Sequence, residues 1–114
     1  MTRRLPCRIA FLAALALLAG ISLAPEGLLR IDLGGYDKQA HLAAYFVLAM
    51  FAALGWPAWR AAALIGLPLA GLALEAGQSA TGRDFDWGDA LANAAGIGLA
   101  VALSAALTRR LDRE

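Results

Sequence analysis

Cysteine and histidine occur once each in this 114-residue chain, as Cys7 and His41, and charged residues make up only 17% of it. A lone cysteine closes no internal disulfide. Set among Arg3, Arg4 and Arg8, Cys7 reads as a small residue at a helix start. No ligand spacing approaches a metal motif, so no metal is expected. No cofactor is expected either, because neither a phosphate-cradling glycine loop nor an acyl-CoA site is legible. The net charge is only +1, which gives no footprint for nucleic acid. Low-complexity linkers and fixed-period repeats are also missing, which leaves a single domain over residues 1–114.

What is present is apolar. Hydrophobic residues reach 61%, and the mean hydropathy is +0.63. A soluble domain carries about 45–50% apolar and about 25% charged residues. The excess here is mostly Ala, Leu and Gly, which suits helices packed closely in lipid. A transmembrane helix needs roughly 17–25 mostly apolar residues. Four such runs are legible, over about residues 7–25, 39–57, 60–79 and 88–108. The first three are marked by the uncharged stretch from Arg8 to Glu26, the run from Lys38 to Arg60, and a run broken only by Glu75. The expectation is all-α: a polytopic membrane protein, a bundle of four transmembrane helices with membrane lipids as its partners.

Punctuation agrees with that reading. Pro6 suits a first helical turn, and Pro57 falls in the turn between runs two and three. Pro68 is expected to kink the third helix by removing a backbone donor. Trp56, Trp59 and Trp87 fall at span ends, where indole rings favour the interface. With four spans, Arg3, Arg4, Arg8, Arg60, Arg109, Arg110 and Arg113 share one side, against Arg30, Lys38 and Arg83 on the other. Seven against three places both termini in the cytoplasm of a bacterial inner membrane. Arg3, Arg4 and the "SLA" ending at Ala24 also fit a cleavable signal peptide. Retention is favoured, because three helices would cover the chain's polar groups less well.

Those polar groups are concentrated. Asp37, Lys38 and His41 open the second span, and Glu75 and Gln78 end the third. Arg83, Asp86 and Asp89 lie in or just after the next loop, with Asn93 one turn into span four. Four spans bring all of them to the extracytoplasmic end. Asp37, His41 and Tyr45 are spaced i, i+4, i+8, and Asp86, Asp89, Asn93 and Gly96 form a second stripe. Small residues at Ala92, Gly96 and Ala100, or at Ala90, Ala94 and Gly98, allow a neighbouring helix to approach. Blander readings also fit: Asp37 and Asp86 as N-caps, and Lys38 snorkelling to head groups. Glu75 is harder to explain away, because a carboxylate at that depth needs a partner such as Arg83 or His41.

"DKQAHLAAYFVLA" followed by "LEAGQSATGRDFDWGDALANAAG" resembles the signature of the VanZ-like membrane protein family. That pattern runs D-K-x-x-H-x-x-x-Y, then E-x-x-Q, then G-R, then D-x-x-x-N-x-x-G. Asp37, Lys38, His41, Tyr45, Glu75, Gln78, Gly82, Arg83, Asp89, Asn93 and Gly96 fall on it, across spans two to four. The resemblance implies a membrane protein of the cell envelope. The family takes its name from a protein associated with resistance to teicoplanin, a glycopeptide that acts on cell-wall precursors outside the membrane.

Three classes of function fit these residues. In the first, the protein acts on or binds a lipid-linked envelope precursor or another anionic ligand. Glu75 or Asp89 would then serve as base and His41 as proton donor or acceptor. Arg83 and Lys38 would hold a phosphate or carboxylate, while Asp37, Tyr45, Gln78 and Asn93 complete the binding set. In the second, the cluster belongs to a non-catalytic scaffold that binds a partner or blocks an antibiotic. A proton-coupled transporter is the least favoured, since it calls for an acid in mid-span and Glu75 lies near an end.

Overall fold

The four apolar runs fold as four helices in the computed structural model, which describes residues 4–23, 35–80 and 86–112, without the side chains of residues 37, 111 and 112. Helix α1 spans Arg4–Leu23, α2 spans Asp37–Gly55, α3 spans Arg60–Ala80 and α4 spans Trp87–Asp112. Each is long and apolar enough to cross a membrane. No strand occurs among the described residues. The bundle measures 50 × 24 × 23 Å. Its long axis slightly exceeds the roughly 40–45 Å of a bilayer with its head groups.

Local chemistry sets the boundaries. The residue before a proline is pushed out of helical geometry, and Trp56, before Pro57, has φ −135° and ψ 72°. A single 3-10 turn, Pro57–Trp59, then reverses the chain into α3. Helix α3 continues through Pro68 to Ala80. Asp86 caps α4, since the Gly88 amide donates to its Oδ1 at 2.8 Å. Asp37 differs from expectation: Tyr36 occupies the cap position of α2, and Asp37 is the first helical residue.

Direction matters more than length. Residues 38, 41 and 42 of α2 meet 88, 93 and 96 of α4, so these two helices run parallel. Helix α3 runs against both, with Glu75 beside Asp86 and Arg60 beside Thr108. Helix α1 runs against α2, as Arg8 bonds the Gly55 carbonyl at 2.8 Å.

The α2–α4 seam is the core. Tyr45, Leu48, Ala49 and Ala52 pack against Ile97 and Ala100. At Gly96 the backbones come so close that a Cβ there would collide with the Leu42 carbonyl oxygen. In lipid, helix association rests on such close packing rather than on water exclusion. The expected small-residue row through Gly96 and Ala100 forms this seam, since both are buried. The alternative row does not: Ala94 is exposed, and a Cβ on Gly98 would touch nothing. Around the outside, Leu12, Leu17, Ile65, Leu69, Leu91 and Leu99 are all exposed.

Candidate functional site

Parallel α2 and α4 bring two helix N-termini side by side, and α3 adds its C-terminal turn to the same end. The α2 stripe therefore faces the α4 stripe at matching depth. Lys38 reaches across the first turn of α4, with Nζ 3.2 Å from Asp86 Oδ2 and 3.5 Å from Asp89 Oδ1. The Lys38 side chain passes close over Gly88, where a Cβ would lie 2.5 Å from Lys38 Cε. The Lys38 ammonium and the Gly88 amide together hold the Asp86 carboxyl below its usual value of 3.8.

One turn deeper, His41 is gripped by two residues of α4. Its Nδ1 lies 3.0 Å from Asn93 Oδ1, and its Nε2 lies 3.5 Å from Asp89 Oδ2. Both facing atoms are acceptors. When Nδ1–H donates to Asn93, a proton gained at Nε2 is held against the Asp89 carboxylate. The ring is only partly covered, with its side chain 26% exposed, whereas Asn93 is 2% exposed. A fixed, buried amide thus orients a histidine that solvent can reach.

Glu75 is buried, at 3% exposure. Its Oε1 accepts from the Asp86 amide at 3.1 Å, a donor that the start of α4 would otherwise leave unsatisfied. The partners expected from the sequence were Arg83 or His41. The ring nitrogens of His41 face Asn93 and Asp89 instead, and Arg83 lies outside the described residues. Below this level, Tyr45 and Gln78 are also buried. The Tyr45 hydroxyl and Asn93 Nδ2 both press on Gly71, where a Cβ would meet them at 3.3 and 3.2 Å. Three helices thus supply a graded column: exposed Lys38 and Asp86 at the top, His41 and Asp89 below, then Asn93, Glu75, Gln78 and Tyr45 in the interior.

Of the residues singled out in the sequence, Lys38, His41, Asp89 and Asn93 are in direct contact. Glu75 joins them through Asp86, and Tyr45 and Asn93 both lie against Gly71. The side chain of Asp37, like Arg83, is outside the described residues. Asp86 was expected in the polar stripe of α4 or as its helix cap, and it serves as both while linking all three helices: it caps α4, pairs with Lys38 and donates its amide to Glu75. Gly71 carried no chemical signal, because its role is the absence of a side chain. Among the described residues, no three His, Cys, Asp or Glu side chains gather as a metal site would require. Comparison with known protein families, with characterised proteins and with solved structures finds no match for this chain.

Proposed function

We propose that the protein is a VanZ-like, multi-pass protein of the bacterial inner membrane, with both termini cytoplasmic, whose polar end binds or acts on a lipid-linked envelope molecule. The observation that carries this reading is the buried carboxylate of Glu75 on an otherwise apolar helix. Ionisable groups inside membrane helices are costly and mark functional sites by default. At the same end of the bundle, His41 is held by two acceptors and is partly open to solvent. In this role His41 donates or accepts a proton, Asp89 stabilises the charged ring, and Asn93 fixes its orientation. Lys38 supplies a cation for an anionic head group, with Arg83 as the second by its place in the sequence. The link to glycopeptide resistance rests on the family resemblance alone.

A second reading is favoured by the pairing of Lys38 with both Asp86 and Asp89, which satisfies charge without a ligand. On that reading the cluster is a non-catalytic scaffold. One experiment separates the two. Protein purified from native membranes is analysed for copurifying lipid-linked sugars or phosphates, in wild type and in His41→Gln. The first reading expects a specific ligand with wild type and impaired teicoplanin tolerance or envelope-stress response in His41→Gln. Full function of His41→Gln at equal abundance, with no ligand retained, selects the scaffold. Reporter fusions after Glu114 and at Gly35 test the topology and should report opposite sides.

A further inference from the structure

At the opposite end of the bundle, α1, α2 and α3 leave an open groove of about 540 Å³ between them. It lies within the roughly 300–1,000 Å³ of ligand sites. Phe11, Leu12, Trp56, Trp59, Gly66 and Leu67 line it, and the lining is almost wholly apolar. Gly66 leaves its floor clear, since a Cβ there would meet nothing within 4 Å.

Cations stand at its mouth. Arg8 lies 5.3 Å from the centre of the Trp56 ring, and Phe11 meets that ring edge-on at 5.5 Å. The Arg8 guanidinium is positioned through Nε, which donates to the Gly55 carbonyl. Among the described residues this is its one hydrogen bond, and it is made through Nε rather than through the terminal amino groups. Arg4, one turn earlier on the same face of α1, is exposed. The three helices that line the groove bring no acid to this end: α1 has none, and the acids of α2 and α3, Asp37 and Glu75, belong to the far end. Helix α4, which does not line the groove, ends at Asp112, whose side chain is outside the described residues.

We infer that this groove binds an anionic phospholipid, one acyl chain against Gly66 and Leu67 and its phosphate on Arg8. Charge selects the occupant. Both kinds of lipid offer a phosphate diester to the guanidinium fork, but a zwitterionic head group also sets a cation beside Arg8, whereas an anionic one leaves the phosphate charge uncompensated. Place agrees, because indole rings and arginine at a span end mark the head-group layer. The basic asymmetry of the sequence assigns this end to the cytoplasmic leaflet, whose anionic lipids attract such residues.

The test is native mass spectrometry of the full chain, released from mixed micelles holding equimolar phosphatidylglycerol and phosphatidylcholine. Wild type is expected to carry one phosphatidylglycerol in about fivefold preference. Gly66→Leu fills the groove without touching its charge and should lose the bound lipid. Arg8→Gln should keep a lipid but lose the preference. Circular dichroism reports whether each variant folds; if Arg8→Gln does not, Gly66→Leu decides alone. Equal uptake of the two lipids by wild type overturns the proposal. So does undiminished lipid on Gly66→Leu, or a lipid-free dimer that Gly66→Leu disrupts, which would assign the groove to a second copy of this chain.

Discussion

The two ends of the bundle solve the same problem with different materials. At the Glu75 end, groups of both signs from α2 and the start of α4 satisfy one another side chain to side chain, and Glu75 of α3 takes the Asp86 amide. At the Arg60 end, the cations lean on backbone oxygens and hydroxyls: Arg8 on the Gly55 carbonyl, Arg60 on the Ser104 carbonyl and Thr108 hydroxyl. Parallel α2 and α4 explain the division. Their N-termini share one end, where the positive poles of two helix dipoles favour Asp86 and Asp89. Their C-termini share the other, where carbonyls favour arginine. Backbone direction therefore sorts the charges, and only the N-terminal end acquires acids that face a histidine.

The largest test breaks the comparison by separating the helices that create it. Gly96→Leu drives a side chain into the Leu42 carbonyl at the closest point of the α2–α4 seam. A loss of about 3 kcal/mol or more is expected, read as failure to reach a stable fold in detergent. Gly98→Ala, two residues on, meets open space. It should be neutral or gain up to about 0.5–1 kcal/mol from helix propensity. Similar outcomes for the two glycines would deny the parallel seam.

The next test acts on the polar end alone. Asn93→Leu keeps the volume but removes the acceptor of His41 Nδ1 in a site 2% exposed. An orphaned polar group costs about 1–3 kcal/mol, so the thermal midpoint should fall along with any function of the cluster. Glu75→Gln is the sharper companion. It retains an oxygen for the Asp86 amide and should keep most of the stability, while removing the carboxylate that the proposed chemistry needs. Function at wild-type level in Glu75→Gln would count against the carboxylate as a base.

Helices, their order and the convergence of polar residues were legible in the sequence because each follows from a local rule. Apolar length gave the spans, and i, i+4 spacing gave the stripes. Which small-residue row packs was not legible: Ala92–Gly96–Ala100 and Ala90–Ala94–Gly98 have the same spacing, and only the partner helix distinguishes them. The Asp86 amide as a partner of Glu75 was not legible for a related reason: a backbone amide freed at the start of α4 has no residue-type signature, whereas Arg83, the expected charged partner, lies outside the described residues. The apolar groove was equally silent, since Phe11, Trp56 and Gly66 meet only across three helices.

At the basic end, Arg60→Met should lower stability by only about 0.5–1.5 kcal/mol. Its contacts to Ser104 and Thr108 are lost, but so is the burial of Nε, which has no partner among the described residues. Function of the polar cluster should be unchanged in this variant. A functional defect at wild-type stability would show that the two ends communicate, which the structural division argues against.

The smallest expected effect concerns Asp86, and it sharpens the contrast by charge alone. Asp86→Asn keeps a good helix cap for the Gly88 amide but removes the charge facing Lys38. Both side chains are about half exposed, so the pair is screened by water and salt. The folded state holds the Asp86 carboxyl below its ordinary value, first through Lys38 and then through the Gly88 amide. A carboxyl depressed in this way stabilises the fold above its unfolded value, near pH ~4, and that contribution fades as pH falls through the lower folded value. Wild type should therefore exceed Asp86→Asn slightly in thermal midpoint at pH 6, and the gap should close towards pH 3. Added salt should shrink the gap at pH 6, because the part that differs between Asp and Asn is the ion pair. A gap that is constant across this range, in low and high salt alike, would mean that Asp86 acts only as the cap of α4 and link to Glu75, and that Lys38 is left free to meet an anionic ligand.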